Sequence, residues 1–342
     1  MTHEVLLDGG PNTSGDRGWT HYIPPVDSAQ EYKIMANAFS AEYGRTAGAV
    51  VNMVTKSGTN EFHGVAYEFF RDGVLDANDF FANRAGREKP GFRRNQYGAN
   101  LGGPIIKNKT FFFVDYDALR QRQPSTIVST VPTLLQRSGD FSETYVASGA
   151  LIRVYDPLSL VRQGNAYSRS QFPGNRIPAS RIDAVAAKAV TYYPDPDLPG
   201  DPVTETNNYI SGDPHKEDHW SWSAKVDHSF GDANRFSARF SQNRFDRENP
   251  ARWDGPSALQ SRSPVGCFTN TVISDTHTFS PTLFADFRLS QSRAHGNNVP
   301  KSDGFDLSQL GFPEYMKTHT HPAFPTFSIA GMTGMGNQPV ME

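Results

Sequence analysis

The side chains best suited to chemistry are His215, Asp218, His219, Asp227 and His228, a set whose types would suit a zinc-like ion. Their spacing argues against one. Neighbouring residues of an extended strand point to opposite faces, so His219 and His228 share no face with a simple ligand set. His319 and His321 could reach one ion from an extended segment, but no third ligand stands beside them. Asp76, Asn78 and Asp79 look like part of a calcium loop, yet the glycine and the distal glutamate of such a loop are misplaced. The single cysteine, Cys267, allows no internal disulfide and no metal-ligand pair. No G-x-S-x-G, P-loop or H-E-x-x-H pattern occurs. The expectation is therefore a protein that is not an enzyme and holds neither a cofactor nor a metal.

Only 37% of the 342 residues are hydrophobic, whereas 29 Gly and 24 Pro point to turns and long loops. Aromatic residues make up 12%, with 24 Phe and 13 Tyr, a mix that suits β structure with aromatic belts. The formal net charge of −3 and the absence of a basic run exclude an electrostatic nucleic-acid footprint. Residues 1–10 show no basic n-region and no apolar h-region, so no secretory signal is visible. No apolar run approaches the roughly 18 to 20 residues of a spanning helix, which excludes a helical membrane protein but not a β-barrel.

The chain pivots on residues 39–60. Ala47, Gly48 and Ala49 follow Glu42, Tyr43, Gly44 and Arg45 and lead into the apolar strand Val50 to Val54, which reads as buried on both faces. That strand breaks at Lys56-Ser57-Gly58-Thr59-Asn60, a turn cluster in which Gly58 can take positive φ. Residue 60 is accordingly the expected boundary between a first domain, 1–60, and a second, 61–342. Ahead of the pivot lie a short strand at Val5 to Leu7, the turn Asp8 to Asn12, and Gln30 to Met35.

Beyond residue 60 the pattern is one of amphipathic hairpins. Phe62 to Phe70 places Val65, Tyr67 and Phe69 on one face; then Arg94 to Ile106 turns at Lys107-Asn108-Lys109 into Thr110 to Gln121. A mostly irregular connection, 123–217, holds one expected helix, with Ser180 and Asp183 as a capping box and Pro194 as the stop. Asp218 to Phe230 alternates cleanly and returns through Gly231-Asp232-Ala233 as Asn234 to Phe245. Thr269 to Phe279 turns at Ser280-Pro281-Thr282 into Leu283 to His295.

The expected fold class is all-β. Alternation alone suits a soluble sandwich, apolar face on a second sheet, or a membrane barrel, apolar face in lipid. Three features favour a barrel over the alternative, a secreted β-sandwich binding module for glycans. Short turns alternate with long loops, and Lys225, Asp227, Arg239, Asp286 and Arg288 sit mid-strand on polar faces, as lumen-facing residues would. Aromatic residues such as Trp220, Trp222, Phe230, Phe236 and Phe279 gather near strand ends, where interface girdles lie.

The run AEYGRTAGAVVNMVTKSGTNEFHG resembles the plug-to-barrel junction of TonB-dependent outer-membrane receptors. RRNQYGANLGGPIIKNKTFFFVDYDALRQRQ, STVPTLLQRSGDFS, FPGNRIPASRIDAVAAKAV and SDTHTFSPTLFADFRLS resemble their Oar-like subgroup, in that family's order and over nearly the whole chain. The resemblance implies that Asp8 to about Lys56 ends a plug. Its junction would comprise Glu42, Tyr43, Gly44, Arg45, Gly48, Asn52, Lys56 and Gly58, with Glu42 and Arg45 against the barrel wall. Residues 61–295 would then supply the first seven or so strands of a barrel of about 22. Energised uptake of a bulky ligand across the outer membrane follows, with outer-membrane lipid around the wall and carbohydrate binding as a family-level trait. The plug would be displaced when an inner-membrane TonB-type energy-coupling protein pulls its amino-terminal end. No signal peptide, binding box for that protein, first half of the plug or remaining barrel is recognised. A fragment that does not transport alone is therefore expected.

Overall fold

Backbone pairing sorts the strands into one small sheet, one long sheet and two short ribbons. The computed structural model describes residues 3–336 apart from 15–17, 19, 37–42, 44, 45, 47, 79, 81, 82, 84–88, 90, 259 and 260, with backbone alone at 261–265 and 297–299.

The small sheet has β1 (Glu4–Leu7), β2 (Gly10–Pro11), β3 (Ala29–Met35) and β4 (Val50–Thr55), in the order β2-β1-β4-β3. Asp8 and Gly9 take φ of 48° and 73°, so β2 folds straight back on β1. β4 is central, parallel to β1 through Leu6 opposite Asn52 and antiparallel to β3 through Lys33 opposite Asn52. Val5, Leu7, Tyr22 and Met53 form its core. Both faces of β4 carry buried residues, Val50 on one and Met53 and Thr55 on the other, while Val51, Asn52 and Val54 are half-buried.

Three long strands follow: β5 (His63–Asp72), β6 (Arg93–Ile106) and β7 (Thr110–Gln123). Next come the short β8 (Ile127–Ser129), β9 (Val161–Gln163), β10 (Ala166–Ser168) and β11 (Tyr209–Ser211), which pair only as β8 with β11 and β9 with β10. β12 (His215–Ser229), β13 (Asn234–Glu248), β14 (Ser261–Ser280) and β15 (Leu283–Pro300) then complete the long sheet. Its order, β15-β14-β13-β12-β7-β6-β5, leaves β5 and β15 at open edges, so the wall is a partial barrel. β14 and β15 run past their expected ends, because pairing with a neighbour overrides the weak strand propensity of Gly266 and Pro300.

Register fixes the faces. Tyr67, Gly98 and Asp117 stand opposite one another across β5, β6 and β7, as do Val65, Asn100 and Asp115, so both rows share one face. On that face Asn100, Asp115, Asp117, Ser221, Ser223, Lys225, Arg239, Ser241, Asn243 and Asn270 are buried. The other face exposes Leu101, Val114, Tyr116, Val226, Phe240, Phe287 and Leu289. A sandwich would show the reverse, with the apolar face buried and the polar face wet. Polar-in and apolar-out is the arrangement of a membrane barrel wall. Val65, Tyr67 and Phe69 of β5 do share a face, but it is the inner one.

The chain divides into two compact units. One holds both sheets: Met1–Gln123, Lys216–Arg247 and Ser263–Asn297. The other gathers the long connections Pro124–His215 and Glu248–Arg262 with Asn298–Glu342 around Val131, Tyr193, Trp253, Leu310, Phe324 and Met335. The expected helix is present at Ala184–Ala189, but its cap differs. Asp183 alone accepts from the amides of Val185 (2.8 Å) and Ala186 (3.1 Å), while Ser180 lies in the preceding 3-10 turn. The capping box is formed elsewhere, by Thr133 and Gln136 around Leu134–Arg137.

Candidate functional site

The inner face of the wall grips the small sheet through buried charge. Asp8, in the β1–β2 turn, presents both carboxylate oxygens sideways. Oδ1 accepts from the Thr55 amide at 2.8 Å, and Oδ2 accepts from the Thr55 hydroxyl at 2.8 Å, which ties β1 to β4. Arg239 of β13 donates through Nε to Asp8 Oδ2 at 2.6 Å, and its side chain is 1% exposed. Lys225 of β12 lies 3.8 Å from Asp8 Oδ1 and donates to the Thr55 carbonyl at 3.3 Å. The remaining donors of Arg239 reach Ser241 Oγ and, at 2.6 Å, Asn270 Oδ1. Asn270 in turn donates to the Pro11 carbonyl at 3.3 Å.

A second carboxylate answers from the wall. Asp115 of β7 accepts from the Tyr22 hydroxyl at 3.2 Å and from the Ser223 hydroxyl. Burial, and after it the charge of Asp115, pushes the Tyr22 phenol well above its usual range, so it stays a neutral donor. Asn12 holds that tyrosine's backbone, accepting from its amide at 3.1 Å and donating to its carbonyl at 2.5 Å. Asn243 donates to the His21 carbonyl at 2.9 Å, and the His21 ring stacks on Phe268 with centroids 5.6 Å apart. Asp8 thus faces two cations, Lys225 and Arg239, while two hydroxyls hold Asp115, so both carboxylates are partnered where burial would otherwise be costly.

The segment joining the sheets is pinned as well. The Lys56 amide donates to the Ser28 carbonyl at 2.9 Å. Asn60 and Asn108 exchange two hydrogen bonds, at 2.6 and 2.7 Å, which fix the linker on the β6–β7 turn. Gly58 does not take positive φ. A Cβ there would run into the carbonyls of Phe112 and Gly103, the latter 2.6 Å away, so the position needs glycine for close approach and not for its φ. Phe62 fills the notch left by Gly103 and packs on Phe112 at 6.3 Å.

Of the residues singled out in the sequence, Lys225, Arg239 and Arg288 reach the small sheet, Arg288 through the Gly9 carbonyl at 3.4 Å. Asp286 is held by Arg288 at 3.1 Å. Asp227 is half-buried, and its Oδ2 finds no hydrogen-bond partner among the described residues. Gly48 donates to Thr46 Oγ1 at 3.0 Å, Tyr43 is half-buried, and Asn52 sits mid-strand in β4. Glu42, Gly44, Arg45 and Asp79 lie outside the described residues. Asp218 binds Arg122, His228 meets Thr110, Asp76 pairs with Arg71, and His321 pairs with Asp303. Among the described residues no group of three or more His, Cys, Asp or Glu is placed to hold an ion.

Sequence reasoning missed Asp8, Tyr22, Asp115 and Asn270. The available signal was charge balance, since Lys225 and Arg239 lay on a buried face and needed acids from elsewhere.

The model of the family described as outer membrane beta barrel domain matches residues 54–341. The TonB-dependent transporter Oar of Myxococcus xanthus is 35% identical over 95 residues, 27% of this chain and 9% of that protein. The probable TonB-dependent siderophore receptor PirA of Acinetobacter baumannii is 32% identical over 120 residues, 30% of this chain and 14% of that protein. The solved outer membrane transporter YddB from Escherichia coli shares the fold with a TM-score of 0.51 at 9% identity, over 88% of this chain and 32% of that one. The chain spans a minor part of each relative's length.

Proposed function

This chain belongs to the outer membrane beta barrel domain family, and on that premise we propose that it forms the plug end and adjoining wall of a TonB-dependent outer-membrane receptor of the Oar-like subgroup. The receptor would take up a bulky ligand across the outer membrane. Residues up to about 60 are the end of the plug, the strands from β5 onward are wall, and the segment Lys56 to Asn60 is the joint between them. An inner-membrane energy-coupling protein supplies the pull that displaces the plug.

One observation carries this reading. The wall buries charged and polar residues against the small sheet and exposes its apolar face. A plug held by the Asp8, Lys225 and Arg239 ion pairs can leave its seat because water replaces polar contacts once they part. An apolar seat would instead lose about 25 cal/mol for each Å² exposed. The relatives named above are receptors and transporters, which agrees with a chain that works by movement and not by catalysis.

The test is orientation in a membrane. Trp222→Arg or Phe240→Arg places a cation on the apolar face, at a cost of roughly 2 to 4 kcal/mol near the bilayer midplane. Both variants are expected to fail to assemble into an outer membrane. Assembly equal to that of the unaltered chain would refute the reading.

A further inference from the structure

The outward faces of β6 and β7 stay apolar until their loop ends, where arginine takes over. On β7, Phe112, Val114, Tyr116 and Ala118 are followed by Arg120 and Arg122; on β6, Leu101, Ala99 and Tyr97 give way to Asn95 and Arg93. Register sets Arg93 opposite Arg122 and Asn95 opposite Arg120. On β12, Trp220 and Asp218 lie alongside. Between them opens a shallow cavity of about 200 Å³ lined by Tyr97, Tyr116, Arg120, Arg122, Asp218 and Trp220.

Charge in this cluster does not close. Arg93 donates to Asp72 at 3.2 Å, and Arg122 grips Asp218 with two bonds of 2.8 and 2.9 Å. Arg120 is exposed, and no hydrogen bond or ion pair engages it among the described residues. At the cavity itself two guanidiniums, Arg120 and Arg122, thus face one carboxylate, Asp218. The other outward carboxylate nearby, Glu68, stands opposite Tyr97 on the edge strand β5. A spare guanidinium above aromatic rings, at the level where a wall leaves hydrocarbon for headgroups, calls for an anion tethered to an apolar body.

We propose that this cavity binds the phosphate-bearing headgroup of an anionic lipid in the outer leaflet. Arg120 and Arg122 contact the phosphate, the hydroxyls of Tyr97 and Tyr116 donate beside it, and the acyl chains run down over Val114 and Phe112. The inference rests on the membrane reading of the wall.

The full chain is reconstituted in phosphatidylcholine vesicles with trace spin-labelled phosphatidic acid or spin-labelled phosphatidylcholine, and the motionally restricted lipid is measured. The unaltered wall is expected to prefer phosphatidic acid about fivefold, the factor corresponding to about 1 kcal/mol for one arginine near the surface. Arg120→Gln should bring that preference close to onefold. Arg244→Gln, at an exposed position on β13 outside this cavity, should leave it unchanged. Equal restriction of both lipids by the unaltered chain, or an undiminished preference in R120Q, overturns the site while leaving the membrane reading intact. Loss of the preference on adding inorganic phosphate would assign the site to the free ion and overturn the lipid. Restriction of neither lipid would overturn the membrane reading and the site with it.

Discussion

Asp8→Asn isolates the charge that seats the small sheet in the wall. Asparagine tolerates the positive φ of 48° at this position and can still accept the Thr55 amide, so backbone and shape are kept. What is lost is the counter-charge to Arg239 at 2.6 Å and Lys225 at 3.8 Å, whose side chains are 1% and 8% exposed. With charge centres about 4 Å apart and an effective dielectric of about 20, the attraction is about 4 kcal/mol. Part of this survives as a neutral hydrogen bond, but two buried cations lose the carboxylate they share, so a loss of about 3 kcal/mol is expected. Hydrogen exchange of the Asp8 and Lys56 amides, bonded to Met53 and Ser28 carbonyls, reads the opening of the sheet. It should accelerate about 150-fold, the factor equivalent to that energy. Arg239→Met should do much the same, and the double variant should exchange little faster than either single one, because removing both partners leaves no orphaned pair. Exchange in D8N within threefold of the unaltered chain, or single effects that simply add, would refute the ion-pair account.

Other substitutions separate the remaining contributions. Gly58→Ala inserts a Cβ into the Phe112 and Gly103 carbonyls, so the joint should shift and become protease-sensitive, at a cost of about 1 to 3 kcal/mol; Ser57→Ala, at an exposed neighbour, should not. Alkaline pH should loosen the loop unit through Tyr193, whose phenol burial raises from 10.0 to about 12. A raised folded pKa favours the protonated form in the folded state, so its stabilisation is whole below pH 10 and is lost as pH rises from 10 to 12. Near-UV circular dichroism of Trp253, whose ring lies 5.5 Å from Tyr193, follows the loss; in Tyr193→Phe the signal should no longer fall across that window.

The faces of β12 and β13 were legible because alternation is a local property of an extended chain. What packs against each face was not local. The core of the loop unit joins Val131 to Trp253 and Met335, residues whose immediate neighbours, Thr130, Pro132, Arg252, Asp254, Gly334 and Gly336, carry no apolar period. Asn175 illustrates the gap. In sequence it is one half of a Gly-Asn turn. In the structure it has φ of 60°, donates to the carbonyls of Phe141 and Ile152 at 2.6 and 2.8 Å, and accepts the Val154 amide at 2.7 Å. Spacing cannot announce such a role, because its partners, Phe141 on one stretch and Ile152 and Val154 on another, lie 34, 23 and 21 residues away.

Glycine gives the sharper lesson, since the same residue answers different needs. Gly58 stands within a turn-like cluster, so positive φ is the natural expectation. The governing constraint is instead two backbone carbonyls belonging to β6 and β7, which the sequence around residue 58 does not contain. Gly98 repeats the point within a strand. Tyr67 crosses above it to donate to Asp117 at 2.7 Å, and any Cβ at Gly98 would meet that tyrosine's hydroxyl. The row Tyr67, Gly98, Asp117 is therefore a single unit built from three strands, in which the empty position is as necessary as the occupied ones. An alternating pattern shows only a weak strand residue there. Knowing the register turns that weakness into a requirement, because a side chain at 98 would push the tyrosine off the carboxylate and leave Asp117 buried with Gln96 alone, 3.3 Å away.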